Sequence, residues 1–338
     1  MRVIYHLNTS DVRNIPGEAR WAEDMGYDGL SVEETAHDPF SALMLAATTT
    51  SRVTLETRVA IAFPRSPMVV AQSARDLQDF SGGRFRLGLG TQVKGHIERR
   101  FSVPWISPGP RIREYVQALH AIWDNWQDGK RLDFQGRFYT FNLMTPFFSP
   151  GAGVHPKPPV SISAVNPYNC RVAGQVCDGL ALHPLISPRY ITEAITSNIE
   201  TGAHREGRDP TDVKLSSSGF IITGPNAKTI DARKEATKQR IAFYASTRTY
   251  FPVLELHDYQ ELGQRLHALS LQGQWAEMTR LVSDEMLETF AIIGGYDDIA
   301  LRIKEQLGAL VDEVGFNMEV STPEDEKALR NIIDELKG

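Results

Sequence analysis

The sequence predicts a (β/α)8 barrel, a ring of eight parallel strands each followed by a helix. Three observations predict it. Short apolar strand-like runs alternate with amphipathic helical stretches from one end of the chain to the other. Eight such alternations can be traced, and eight units favour a closed barrel over an open doubly wound sheet. The 338 residues contain no linker, low-complexity tract or internal repeat, so they are expected to form one domain over 1–338.

The first strand is read at 3–7 and a helix at about 16–25, with Gly26 suited to the position just past a helix end. Residues 29–32 form a second strand, 41–51 an Ala/Leu/Met-rich helix, 53–62 a third strand and 68–80 a third helix. Ser81-Gly82-Gly83 makes a tight turn into a fourth strand at 84–89. The helix at about 110–127 carries Ile112, Tyr115, Val116, Leu119, Ile122, Trp123 and Trp126 on one face, the spacing of a buried stripe. Its two tryptophans therefore read as core. Residues 132–141 read as a small hairpin inserted before the fifth strand, and the Pro/Gly-rich 145–159 as a surface connection. A fifth strand at 160–164, a helix at 168–176, a sixth strand at 179–182, a helix at 189–206 and a seventh strand at 213–223 follow. The last strand is placed at 315–320. Thr322-Pro323-Glu324-Asp325 then opens the final helix, with a capping Thr, a proline in the first turn and acids beside the positive helix end. Two insertions interrupt this plan, at about 130–158 and 227–293. The second is expected to be two or three helices before the last strand, serving as a lid, a dimer surface or outer packing.

Composition narrows the function. The chain is 41% hydrophobic and 23% charged with a net charge of -6, which describes a soluble globular protein and suggests no polyanionic partner. No nucleic-acid motif and no apolar run of about 18 residues is present, so neither nucleic acid nor membrane is an expected partner. The N-terminus enters a strand without a signal-peptide pattern, and a cytoplasmic location is expected. Cys170 and Cys177, seven apart in a helix, fit neither a redox pair nor a metal knuckle and read as small apolar residues.

In a barrel of this kind, chemistry belongs at the C-terminal ends of the strands. Those ends carry His6 and Asn8; Glu33, Glu34, Thr35, His37 and Asp38; Arg65; Thr91, Gln92 and His96; Asn166; and His183. His6-Leu7-Asn8 supplies one metal ligand where a hydrolase barrel would want two, and no metal is expected. Lys214 lies at the wrong strand end for Schiff-base chemistry. Gly88-Leu89-Gly90 lacks the third glycine of a dinucleotide fingerprint. What remains is a polar mouth with few charges, suited to a planar polar cofactor. The densest titratable cluster, Glu33 to Asp38, is either a helix cap with solvated acids or an acid–base group beside a reacting ring.

These residues resemble the superfamily of luciferase-like flavin monooxygenases and deazaflavin-dependent oxidoreductases. The resemblance rests on Gly26-Tyr27-Asp28-Gly29-Leu30-Ser31-Val32 followed by Glu34, and on Phe63-Pro64-Arg65-Ser66-Pro67-Met68. It rests further on Ser81-Gly82-Gly83-Arg84-Phe85-Arg86-Leu87-Gly88-Leu89-Gly90 and on Ala173-Gly174-Gln175-Val176-Cys177-Asp178-Gly179. The segments at 34–40 and 92–101 look most like a subgroup using coenzyme F420. The resemblance implies a luciferase-like (β/α)8 barrel, a homodimer, and hydride transfer between coenzyme F420 and a small organic substrate such as an alcohol, aldehyde, ketone or activated alkene. It leaves two alternatives: an FMN-dependent monooxygenase, and a non-catalytic barrel that serves as a partner subunit. A separate reductase would supply reduced cofactor. It also implies roles by position. The Arg58-Val59 peptide should be cis and back the ring. Thr91 and Gln92 should approach the ring or its side chain, and Ala164, Val165 and Asn166 should offer amides to a phosphate. His183 joins the cofactor contacts. Glu34 should meet the ring edge. Relatives carry histidine directly after that acid; this chain has Thr35, which makes His37 the candidate acid or base. Phe63, Trp105 and Phe148 suggest an apolar pocket.

Overall fold

In the computed structural model, which describes residues 1–338, the apolar runs close into a ring of eight parallel strands. They are β1 (Arg2–His6), β2 (Gly29–Val32), β3 (Thr54–Thr57), β4 (Phe85–Gly90), β5 (Val160–Ala164), β6 (Gly179–Leu182), β7 (Lys214–Ser217) and β8 (Glu313–Gly315). Each pairs with the next, and β8 pairs back onto β1. The expected barrel is therefore present. Trp123 and Trp126 are buried, with Trp123 Nε1 donating to Ala71 O at 3.2 Å. Cys170 and Cys177 are free, buried thiols. No helix is long and apolar enough to cross a membrane.

Three strand readings need correction. The third run breaks after Thr57 and resumes as Ala60–Ile61 against the end of β4, with a cis peptide at Arg58-Val59 between the two pieces. The seventh run, read as 213–223, is two strands. Gly219 N–H turns back onto Ser217 Oγ at 3.2 Å, and Phe220–Gly224 leaves the barrel to pair in parallel with Ala291–Gly295. That second strand was not foreseen, because 291–295 sits at the end of a helical stretch and is too short to show a period. The eighth strand is Glu313–Gly315, not 315–320. Beyond it, the Asn317 side chain takes the place of a ladder: its Oδ1 accepts from His6 N–H and its Nδ2 donates to His6 O, both at 2.8 Å.

The hairpin at 132–141 forms, with Phe134–Gln135 antiparallel to Thr140–Phe141. The larger insertion holds five helices where two or three were expected: Ala227–Ala245, Phe251–Glu255, Gln260–Leu271, Trp275–Arg280 and Asp284–Phe290.

At the N-terminal end of the barrel, one device recurs three times. Asp28, Asp178 and Asp312 stand directly before β2, β6 and β8. Their carboxylates accept the N–H of Val3, Val160 and Leu215 at 2.9, 2.8 and 2.9 Å. Their own N–H groups donate to the carbonyls of the same three residues. Each aspartate thus clamps the start of the neighbouring strand, satisfying main-chain groups that the short ladder leaves over. Two of the sequence signatures, Tyr27-Asp28-Gly29 and Cys177-Asp178-Gly179, are these clamps.

Candidate active site

At the opposite end, the strand termini surround a cavity of about 720 Å³. The end of β2 contributes Glu33, Glu34 and Thr35. The break in the third strand contributes Arg58 and Val59, and β4 contributes Gly90, Thr91 and Gln92. Ala164, Val165 and Asn166 come from β5, and His183 from β6. Every residue given a catalytic or cofactor role from the sequence thus faces one cavity, except His37; of the other strand-end candidates, His6, Asn8, Asp38, Arg65 and His96 do not line it.

His37 is the correction. It is exposed, forms no hydrogen bond and does not line the cavity. Arg65 explains why. Its Nη1 bonds both Glu34 oxygens at 2.9 and 2.7 Å, and its Nη2 bonds Asp38 at 3.1 Å. Asp38 in turn caps the helix Pro39–Ala47. The segment is pinned on both sides of His37, which is left on the outer surface. No acid–base role inside the cavity is open to it.

Glu34 is half-buried with its side chain only 7% exposed, and its two oxygens are already committed. Besides the Arg65 pair, Oε2 accepts from Ile61 N–H at 2.7 Å. The Glu34 N–H donates to Val59 O at 3.3 Å, and Arg58 N–H donates to Val32 O at 2.7 Å. Glu34 and its neighbours therefore fasten both flanks of the Arg58-Val59 peptide to β2. Its place here is that of a positioning residue for the broken third strand. The glycines of β4 admit that break. A Cβ on Gly88 would lie 2.0 Å from Thr57 O, and one on Gly90 2.6 Å from Val59 Cγ2. Close approach, and no nucleotide phosphate, accounts for the Gly-Leu-Gly pair.

The floor near the break carries charge. Arg58 is buried, and its Nη1 and Nη2 have no hydrogen-bond partner. Glu56 Oε2 lies 3.9 Å away. Burial raises the Glu56 carboxyl, and the Glu313 charge adds to this while Arg58 and Arg86 oppose it. His6 Nδ1 is 3.2 Å from Ser31 Oγ and its Nε2 is 3.9 Å from Glu33. Burial lowers the His6 pKa, with Arg58 acting in the same direction and Glu33 against it.

Two walls offer unused donors. Gln92 holds a left-handed backbone, φ 57°, which costs a non-glycine residue on the order of 1 kcal/mol. Asn166 caps the helix Pro167–Val176 by accepting from Asn169 N–H at 2.9 Å. Pro167 removes a donor from that first turn, and the Asn166 N–H has no acceptor in the protein. A helix start of this kind suits an anion.

His183 stands opposite. Its Nδ1 accepts from Leu185 N–H at 3.1 Å, so a neutral ring carries its proton on Nε2, which has no protein partner. The ring stacks on Tyr250 at 4.1 Å and meets the edge of Tyr244 at 4.6 Å. Burial, with Arg240 adding, pushes its pKa down to about 3. Tyr244, Thr249 and Tyr250 all line the cavity and belong to the large insertion, which therefore roofs the site. Nothing in the local pattern of these residues marks them, because their partners lie about 60 residues away. Of the three aromatic residues read as pocket-forming, Trp105 lines the cavity and Phe63 backs it edge-on at 6.1 Å, while Phe148 is exposed on a surface loop.

Comparison with known proteins agrees with this architecture. Residues 3–313 match the family described as luciferase-like monooxygenase. The chain belongs to the luciferase-like monooxygenase family. An uncharacterized protein of Mycobacterium tuberculosis is 45% identical, over 86% of each chain. The 5,10-methylenetetrahydromethanopterin reductase of Archaeoglobus fulgidus is 27% identical, over 87% of this chain and 86% of its own. The structure of the coenzyme F420 dependent tetrahydromethanopterin reductase from Methanopyrus kandleri superposes with a TM-score of 0.79. It covers 99% of this chain and 98% of its own at 21% identity, which speaks for the fold.

Proposed function

We propose that this oxidoreductase transfers a hydride between coenzyme F420 and a small organic substrate in the cavity at the strand ends. The observation that carries the reading is the cavity itself: about 720 Å³, walled by unused donors and almost free of uncommitted carboxylates. Its residues fit a planar, anionic cofactor. Arg58 offers buried, unpartnered N–H groups, and Asn166 a free amide at a helix start. Relatives in the family support the choice of cofactor, since the Methanopyrus kandleri enzyme is named as coenzyme F420 dependent.

When bound, the cofactor would accept or give the hydride. The protein supplies placement and dryness. Asn166, with Ala164 and Val165, would hold the phosphate end. Thr91, Gln92 and the Arg58-Val59 break would hold the ring end, kept in place by Glu34 and Arg65. His183 would present its Nε2–H as a neutral hydrogen-bond donor, since a group with a pKa near 3 is no base at neutral pH. Tyr244 and Tyr250 would close the site against water. A homodimer and a separate reductase for reduced cofactor belong to the same proposal. An alcohol, aldehyde, ketone or activated alkene would be the substrate.

Titration of the apoprotein with oxidised and reduced coenzyme F420 and FMN tests this. Selective micromolar binding of the deazaflavin supports it. Preference for reduced FMN would transfer the site to oxygen chemistry, and binding of neither would leave a non-catalytic barrel.

A further inference from the structure

We propose that Glu33 and His6 form the proton port of this cavity: Glu33 exchanges the substrate's proton as the hydride moves, and His6 passes that proton between Glu33 and solvent. The inference rests on the hydride-transfer reading above and supplies the acid–base role that His37, on the outer surface, cannot fill.

Two carboxylates line the cavity, those of Glu33 and Glu34. Glu34 spends both oxygens on Arg65 and on Ile61 N–H. The Glu33 carboxylate makes no hydrogen bond, and its one ion-pairing neighbour is His6 Nε2, at 3.9 Å. Other titratable groups of the wall are held in one state. His183 is neutral, with a pKa near 3, and burial with the neighbouring Tyr244 pushes Tyr250 up to about 12. Lys94 faces Glu98 at 3.9 Å.

His6 is placed to serve Glu33. It ends β1, directly opposite Ser31 of β2. The Asn317 side chain grips its main chain through N–H and carbonyl, and its Nδ1 lies 3.2 Å from Ser31 Oγ. Backbone and ring are thereby fixed with Nε2 turned to Glu33. Two charged groups face the ring, Glu33 from the end of β2 and Arg58 from the break in the third strand. Burial lowers the His6 pKa most, Glu33 opposes this and Arg58 adds to it. At neutral pH the imidazole is therefore ready to accept a proton. Its side chain is still 40% exposed, so a proton can leave without crossing the roof of Tyr244 and Tyr250. The 3.9 Å gap is longer than a hydrogen bond. Glu33 is unbonded and free to swing between a substrate and His6, and acid–base contacts are often loose before a ligand binds.

The step balances. In alcohol oxidation the carbon-bound hydrogen leaves with its electron pair to the cofactor. The O–H proton goes to Glu33, and the electron pair it leaves behind closes the carbonyl. His6 takes the proton from Glu33 and gives it to water. Carbonyl reduction runs the same transfers backwards, with Glu33 as the acid.

The first test reads the pair without a ligand. His6 is titrated by nuclear magnetic resonance in the apoprotein, its signal assigned by its loss in His6→Gln. Glu33→Gln should lower the proton affinity of His6 by on the order of tenfold, because the facing carboxylate is gone. An unchanged His6 titration in Glu33→Gln overturns the inference. The second test reads the reaction, with isopropanol and oxidised F420 and with propanal or cyclohexenone and reduced F420. Glu33→Gln should lower kcat about a hundredfold, the scale of a lost acid–base group, while F420 affinity and melting temperature keep their wild-type values. Glu33→Asp should recover part of kcat. In the oxidation direction kcat should fall as pH drops through the His6 titration, since a protonated ring takes no further proton, and His6→Gln should flatten that fall. A Glu33→Gln kcat within about threefold of wild type overturns the inference and leaves the F420 reading standing. A wild type that binds neither form of F420 overturns the hydride reading. There, or where none of the three probes is turned over, the His6 titration alone judges the pair.

Discussion

The two ends of the barrel are built from the same strands and use polar side chains in opposite ways. At the N-terminal end every strong group is spent on the protein. Asp28, Asp178 and Asp312 clamp strand starts, and Glu313 holds Arg2 and Arg86 together. At the C-terminal end the groups are left over: Arg58 without a hydrogen-bond partner, Asn166 with a free amide, His183 with a free Nε2–H. The difference follows from what each end must do. Main-chain groups at the strand starts are orphaned by geometry and must be paid for locally. Donors at the strand ends are kept in reserve for a ligand. Glu34 and Arg65 belong to the second end in place but to the first in behaviour, since they spend themselves on holding the break in the third strand.

Substitutions at the two ends should separate stability from binding. Glu313→Gln removes the shared carboxylate of two guanidinium groups, and should cost about 3 kcal/mol in urea unfolding while cofactor affinity stays within twofold. A loss of affinity without a loss of stability would erase the contrast between the two ends. Glu34→Gln should do both things at once, lowering stability by about 2 kcal/mol and affinity about tenfold, because it loosens the Arg65 pair and the third-strand break together. If affinity holds while stability drops, Glu34 is no longer part of the site.

His183 sharpens the comparison through pH. An unfolded histidine titrates near 6.5, whereas His183 in the fold is held near 3 by burial. As pH falls below about 6.5 the unfolded chain binds a proton that the folded chain refuses, so stability drops progressively until about pH 3. His183→Gln should flatten this component of the melting-temperature profile. A profile unchanged by the substitution would mean that the ring is not held neutral. The smallest effect is expected of His37→Ala. Binding and turnover should stay within about twofold of wild type and stability within about 0.5 kcal/mol, as for an exposed residue with no bonds. A larger loss of turnover would return His37 to the reaction.

The site was legible in the sequence wherever it sits on a strand end. Thr91, Gln92, Asn166 and His183 follow directly from knowing where apolar runs stop, because a parallel barrel places all such ends on one face, whereas Arg58 lies inside the run read as 53–62 and was reached only through the family resemblance. His37 failed for a reason of the same kind, read one step too far. It follows a strand by five residues, and by then the chain has turned outward under the pull of Arg65 on Glu34 and Asp38. Tyr244 and Tyr250 were illegible, since no period of the insertion says that its helices fold back over β6.

By itself, then, the sequence determined the barrel, its closure and the ring of residues at its mouth, because period and turn chemistry are local and the topology of parallel strands leaves few choices. Only the tertiary structure decided which of those residues remain free. Glu34 was taken by Arg65, Glu313 was shared between Arg2 and Arg86, and Arg58 was left with no hydrogen-bond partner. Pairing of charges depends on which side chains meet across the barrel, at separations of tens to hundreds of residues, and that is set by packing rather than by any pattern along the chain.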